Sequence, residues 1–202
     1  MTDVFSIHPE HPQQRLIRRS VDVIQRGGII AYPTDSAYAL GCQLGNKDAI
    51  DRIRRIRELD KNHNFTLICR DLTQISTYAR IDNVVFRFWK SHIPGPYTFI
   101  LKASGEVPKR LQHPKRKTIG LRVPESLIVQ ALLEALDEPL LSVSLILPGD
   151  ELPLGDAETI YDALSQRVDL VIDGGFCGFE PSTVVELTSG VPEVVRQGKG
   201  EI

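Results

Sequence analysis

The chain has 202 residues, 42% hydrophobic and 25% charged, which is long enough for one sizeable core and free of the biases that mark disorder or a disulfide scaffold. A net charge of −2 singles out no partner, and no apolar run approaches the roughly 20 residues of a membrane span. The start, MTDVFSIHPEHPQQ, lacks the charged-then-apolar layout of a signal peptide, so the expected location is the cytoplasm with no membrane partner. Cys42, Cys69 and Cys177 are widely spaced and suit a reducing compartment, and the five histidines include no H-x-x-x-H pair. Neither a metal site nor a tightly bound cofactor is expected.

Residues 8–12 read as an extended lead-in. Apolar Leu16, Ile17, Val21 and Ile24 recur at helical spacing, predicting a helix over 13–26 that Gly27 closes. The run 29–32 reads as one buried strand, stopped by Pro33. Asn46 caps a helix over 47–58 whose buried side is Ala49, Ile50, Ile53 and Ile56. A polar loop, 60–64, precedes a strand at 65–69; Asp71 caps a short helix to 79, and another helix fits 83–91. Pro94-Gly95-Pro96 breaks the chain before a strand at 97–102. After a helical turn at 107–111 come a strand at 118–123, a helix over 125–136 and an apolar strand at 139–147 with Ser142 and Ser144 on one face. Asp156 caps a helix to 167, 168–173 is a strand, and 182–187 with 193–197 form a hairpin. This alternation predicts a single α/β domain over 1–202, a twisted open mixed sheet flanked by helices.

One stretch concentrates polar groups at the end of a buried strand: GGIIAYPTDSAYALG at 27–41, with Thr34, Asp35, Ser36 and Tyr38. Open α/β sheets place ligands at such strand ends. The competing reading is a plain turn whose side chains bond their own backbone. The stretch resembles the opening motif of the YrdC/YciO family, close to GGxxxYPTDTxYGLG. Pro94-Gly95-Pro96-Tyr97-Thr98 resembles the family's PGPxT turn, Gly120 to Pro124 its GxRxP strand, Pro181 to Val185 its PSTVV, and Val195 to Gly198 its closing LRxG. Order and spacing agree across nearly the whole chain.

The resemblance implies a YrdC-like fold around a positively lined cleft, and threonylcarbamoyl-AMP synthase chemistry: L-threonine, bicarbonate and ATP with Mg²⁺ as a substrate complex, on the way to threonylcarbamoyladenosine in tRNA. In that chemistry a carbamate oxygen attacks the α-phosphate, so the protein must hold two anions together and stabilise charge on phosphorus oxygens. Arg122, on a strand between glycine and proline, offers a fork for a carboxylate or phosphate. Thr34 and Tyr38 are the expected amino-acid contacts, and Arg57, Ser142, Ser144, Ser182, Thr183 and Arg196 the expected nucleotide contacts. For the hydroxyls, satisfaction by neighbouring backbone is the alternative.

Two departures stand out. Where synthases carry K-x-R-P, this chain has Arg57-Glu58-Leu59-Asp60, with Lys61 or His63 as a substitute cation. Where they carry S-x-N, it has Ser144-Leu145-Ile146. With the HNFTLICRDL run at 63–72, these departures place the chain nearest the YciO branch. Two functions stay open: a weak or altered synthase, or one acting on the adenylate hydrolytically; and a non-catalytic RNA- or nucleotide-binding protein of the same fold. The second rests on two basic clusters, Arg52 to Arg57 and a run of Lys109, Arg110, Lys115, Arg116 and Lys117, the latter five cations in nine residues without interleaved aromatics. Such a run would meet the phosphates of tRNA or double-stranded RNA, or be a solvated loop.

Overall fold

The computed structural model describes residues 1–60 and 63–202, and its strands form one sheet in the order β1-β8-β2-β3-β7-β4-β6-β5-β9-β10. The strands are β1 (Asp3–Ser6), β2 (Ile30–Tyr32), β3 (Ala39–Gln43), β4 (Thr66–Ile68), β5 (Tyr97–Lys102), β6 (Thr118–Arg122), β7 (Leu140–Ser144), β8 (Leu170–Asp173), β9 (Thr183–Glu186) and β10 (Glu193–Arg196). Pairing is mixed: β1–β8, β8–β2, β4–β6 and β5–β9 are parallel, the other neighbours antiparallel. The helices are α1 (Gln14–Gln25), α2 (Lys47–Arg57), α3 (Leu72–Tyr78), α4 (Asn83–Lys90), α5 (Leu127–Leu136) and α6 (Ala157–Leu164). Side-chain oxygens cap most of them: Asn46 Oδ1 accepts from the Ala49 N–H at 3.0 Å, and Asp71, Asp82, Ser126 and Asp156 act alike. This is the expected single α/β domain. Among the described residues no helix is long and apolar enough to cross a membrane.

Two strands go beyond the sequence reading. β1 precedes the lead-in and pairs in parallel with β8, a partner some 165 residues away that gives no local pattern. β3 lies inside the polar motif and is built of Ala39, Leu40, Gly41 and Cys42, small residues lacking the β-branched enrichment of most strands. It fits because Gly41 packs under the Tyr32 ring and Leu140; a Cβ there would come within 2.8 Å of both.

The two sheet faces are covered unequally. On one, α2, α3, α4 and α6 bury Ile53, Trp89, Phe99, Leu121, Leu141 and Ile160 in a continuous core. On the other, α1 and α5 cover β8, β2, β3 and the adjoining ends of β7 and β4, burying Ile17, Ile24, Val129, Leu133, Tyr32 and Leu170. Among the described residues no helix covers the remainder of that face. Side chains alternate along each strand, so Leu67, Phe99, Leu121 and Leu141 face the helices while Thr66, Thr98, Gly120 and Ser142 point the opposite way. Thr66, Thr98, Gly120 and Ser142 share that face with Ile100, Val184 and Val195, and the sheet lies open there.

Candidate functional site

The open face forms one cleft with two lobes that share Thr66, Thr98, Val143, Ser144 and Ser182. The inner lobe, about 30 Å³, adds Thr34, Ser36, Tyr38, Arg122 and Ser142. The outer lobe, about 310 Å³, adds Arg57, His63, Asn64, Ile146 and Arg196. Gly120 lies in its floor: a Cβ there would sit 2.8 Å from Thr66 Oγ1 and 3.2 Å from the Phe65 carbonyl. A larger cavity, about 760 Å³, lies at the starts of α3 and α5 against Leu72, Ile93, Val123 and Leu127, and none of the candidate site residues lines it. Arg122 and Arg196 therefore line the two lobes of one cleft.

In the inner lobe most hydroxyls are already engaged. Thr34 Oγ1 donates to the Ala37 carbonyl at 2.6 Å and accepts from the Ser36 and Ala37 N–H groups, both at 3.2 Å. Its role is to shape the turn after β2, the alternative raised by the sequence. The Tyr38 hydroxyl donates to the Gly175 carbonyl at 2.9 Å and accepts from the Gly174 N–H at 3.3 Å. Burial pushes its pKa up. Tyr38 thus lines the inner lobe and clamps the turn after β8 through its hydroxyl. Ser142 Oγ donates to the Leu40 carbonyl at 3.2 Å, which leaves the Tyr32 hydroxyl as donor in their 2.6 Å contact. Tyr32 is buried, and desolvation carries its pKa up to about 12. Ser182 Oγ and Thr98 Oγ1 meet at 2.7 Å. Ser144 Oγ, half-buried and shared by both lobes, has no partner among the described residues. Thr183 is displaced from its expected role. Its Oγ1 donates to the Gly200 carbonyl at 2.6 Å and accepts from the Gly198 N–H at 2.9 Å, so it ties down the chain end and lines neither lobe.

Arg122 is buried and its guanidinium is shared. Nη2 pairs with Asp35 Oδ1 and donates to Ser36 Oγ at 2.9 Å, while the buried Nε has no hydrogen-bond partner. Asp35 Oδ2 accepts from the Glu125 N–H at 2.9 Å, and the Asp35 carbonyl accepts from Lys199 Nζ at 2.6 Å. Asp35 is the site residue whose role the sequence did not reveal. It stood in the motif, yet an Asx turn explained it equally well, and only the fold brings its carboxylate to Arg122. Nearby, burial pushes the Cys177 thiol up to about 11.

The outer lobe is cationic. Desolvation lowers the pKa of Arg57, whose buried Nε has no partner, and desolvation with Arg122 lowers that of Arg196. Arg196 donates to the Ser182 carbonyl at 2.8 Å. The ladder slips between Val194 and Arg196, so consecutive Val195 and Arg196 both face the lobe, the local re-aiming a bulge produces. Ile146 lines the lobe. Leu59 does not: it packs against the core, so the loss of the second cation leaves no apolar group in the cleft. Lys61 lies outside the described residues, whereas His63 and Asn64 stand in the lining. Among the described residues no three His, Cys, Asp or Glu side chains gather to hold a metal ion.

The basic run lies apart from both lobes. Lys109 and Arg110 sit on a 3-10 turn at Lys109–Leu111 and Lys115 to Lys117 on the approach to β6, all exposed. Arg110 donates to the Gly45 carbonyl and Arg116 pairs with Glu186 at 3.4 Å.

Comparison with known proteins gives a consistent result. The chain is 56% identical over 202 residues to the uncharacterized protein YciO of Escherichia coli K12, covering 100% of this chain and 98% of that one. The crystal structure of E. coli YciO superposes with a TM-score of 0.97 at 57% identity, over 100% of this chain and 98% of that one. P. abyssi Sua5 complexed with L-threonine superposes with a TM-score of 0.89 at 25% identity, over 98% of this chain and 58% of that one. The profile of the Sua5–YciO–YrdC family, described as Telomere recombination, matches residues 22–198, and the chain belongs to that family.

Proposed function

We propose that the two lobes hold a small carboxylic acid and a phosphorylated nucleotide side by side and join them, as a slow or altered synthase of the threonylcarbamoyl-AMP type. Its substrates would be L-threonine, bicarbonate and ATP with Mg²⁺, its product an intermediate of tRNA threonylcarbamoyladenosine metabolism. The observation that carries this reading is the shared cleft: Arg122 at one end, Arg57 and Arg196 at the other, and the unpartnered Ser144 hydroxyl between. The L-threonine bound by P. abyssi Sua5, which has the same fold, supports the choice of acid.

The steps follow from these groups. The threonine amine attacks the bicarbonate carbon, water leaves, and an N-carboxy anion results. An oxygen of that carbamate attacks the α-phosphorus of ATP, forming the mixed anhydride as the bond to pyrophosphate breaks. Arg122 anchors the acid, and Arg57 with Arg196 stabilises charge on the phosphate oxygens, the dominant contribution in such transfers. The inner lobe has room for only one or two waters, so the acid enters by drawing Asp35 away from Arg122. Ile146 gives the nucleotide no amide, and a charged hydrogen bond forgone costs about 1.5–3 kcal/mol, so turnover is slow. Incubation with labelled threonine, bicarbonate, Mg²⁺ and ATP tests the reading. A labelled adenylate is expected; its absence from protein that binds both ligands would refute it.

A second reading rests on the exposed cations at Lys109, Arg110, Lys115, Arg116 and Lys117, which present charge outside the cleft. They suit phosphate contacts with tRNA or double-stranded RNA, whether or not the cleft turns over substrate.

A further inference from the structure

The outer lobe departs from a plain arginine pocket at one residue. His63 stands at its rim, exposed enough to exchange protons with solvent, on the segment that leads into β4. Arg57 from the end of α2 and Arg196 from the bulged β10 line the same lobe. The charged groups acting on His63 are those two arginines, Arg54 from α2, whose guanidinium lies 5.1 Å over the Phe65 ring, and Asp60 from the preceding loop. The Phe65 ring meets the imidazole edge-on at 6.1 Å. Among the described residues, three cations and one acid therefore act on this imidazole.

We propose that His63 is a proton-linked third cation of the outer lobe, taking up a proton when a doubly charged oxyanion seats against Arg57 and Arg196. The inference rests on the reading of this lobe as the phosphate end of the cleft and adds its regulation. When the lobe is empty, desolvation and then Arg57 hold His63 below its ordinary value, with Asp60 opposing, so the ring is neutral at physiological pH. A dianion reverses the local sign of charge and favours the imidazolium. Binding then draws in a proton, and affinity rises as pH falls through the ordinary histidine range. His63 thereby supplies the second cation that Leu59, turned into the core, does not.

Sulfate is the probe, because it keeps its double charge across the range and adds no titration of its own. The His63 ring proton is followed by NMR between about pH 5 and pH 8, with and without saturating sulfate, and assigned by its loss in His63→Gln. Saturation is set from the Arg196 side-chain signals. The expected result is a His63 midpoint that rises by about 1 pH unit with sulfate. Sulfate affinity should be several-fold higher near pH 5.5 than near pH 8, with about tenfold as the low-pH limit of a 1-unit shift, and His63→Gln should abolish that difference. Arg196→Gln, a change at an exposed position, should remove the sulfate-induced rise. A His63 midpoint that stays put while the Arg196 signals respond would overturn the proposal, as would an equal pH dependence in His63→Gln. Neither threonine nor ATP is present, so this result separates from success or failure of the adenylate assay.

Discussion

Arg122 and Asp35 lie 87 positions apart and form an ion pair in the inner lobe, their side chains only 7% and 9% exposed. Asp35 also accepts from the Glu125 N–H, so the pair joins the turn after β2 to the start of the segment leading into α5. Arg122 thus has two roles, as anchor for a ligand carboxylate and as counter-charge for a buried acid.

Removing one partner of such a pair typically costs about 3–5 kcal/mol, because the other charge is left buried and unpaired. Arg122→Ala should therefore lower the melting temperature by roughly 10 °C as well as abolish adenylate formation. Asp35→Ala with Arg122→Ala should recover much of that stability and none of the activity. Thermal unfolding of the two single variants and the double variant measures the coupling; purely additive losses would show that the pair is not what holds these segments together.

The two departures from the synthase pattern should respond differently to repair. Ile146 lines the outer lobe, so Ile146→Asn restores an amide to the nucleotide and should raise the rate of adenylate formation roughly tenfold or more. Leu59 packs on the core, so Leu59→Arg should give no such gain and should lower stability instead. Initial rates and melting curves for both variants decide this. A gain from Leu59→Arg equal to that from Ile146→Asn would mean that residue 59 reaches the nucleotide.

The sequence showed the sheet and much of the cleft because their determinants are local. Helix caps at Asn46, Asp71 and Asp156, and serines two apart at 142 and 144, need only neighbouring positions to be read. β1 stayed hidden because its pairing partner is remote, and β3 because small buried residues mimic a loop. Among site residues, Arg122 stood out by charge between apolar and glycine neighbours, whereas Arg57, in a helix end crowded with cations, and Arg196 were reached through the resemblance. Hydroxyls were less legible, since a Thr or Tyr looks the same whether it faces a ligand or a carbonyl. Tyr38 and Thr183 face carbonyls, and only the tertiary fold decides that.

Tyr32 contributes to an alkaline limit, alongside the buried Cys42, Cys69 and Tyr38. Its pKa rises from 10.0 to about 12 on folding, so the unfolded chain releases this proton first. The stability that neutral Tyr32 contributes is intact below about pH 10 and is lost as pH rises toward 12, a fall of about 2 kcal/mol. Tyr32→Phe should flatten that part of the stability–pH curve, at a cost near neutrality of about 1 kcal/mol for the bond to Ser142. Denaturant titrations from about pH 8 to pH 11.5 check it; an unchanged alkaline slope would contradict the assignment.

For the basic run, replacing Lys115, Arg116 and Lys117 with alanine should weaken binding to duplex RNA. Each phosphate contact removed lowers the logarithmic salt slope by roughly 1. Arg116 is paired with Glu186, so its share should be the smallest of the three. Binding measured at several salt concentrations gives the slope, and an unaltered slope would mark the loop as solvated surface.

The central claim is that one cleft joins an acid to a nucleotide, and the most direct measurement is pyrophosphate release under single-substrate omission. With L-threonine, bicarbonate and ATP·Mg²⁺ all present, the protein should release pyrophosphate slowly and in equal amount to threonylcarbamoyl-AMP, and Ile146→Asn should do so faster. Omitting threonine or bicarbonate should stop the release. Pyrophosphate release indifferent to threonine, or none from folded, ATP-binding protein and its Ile146→Asn variant alike, would contradict the account.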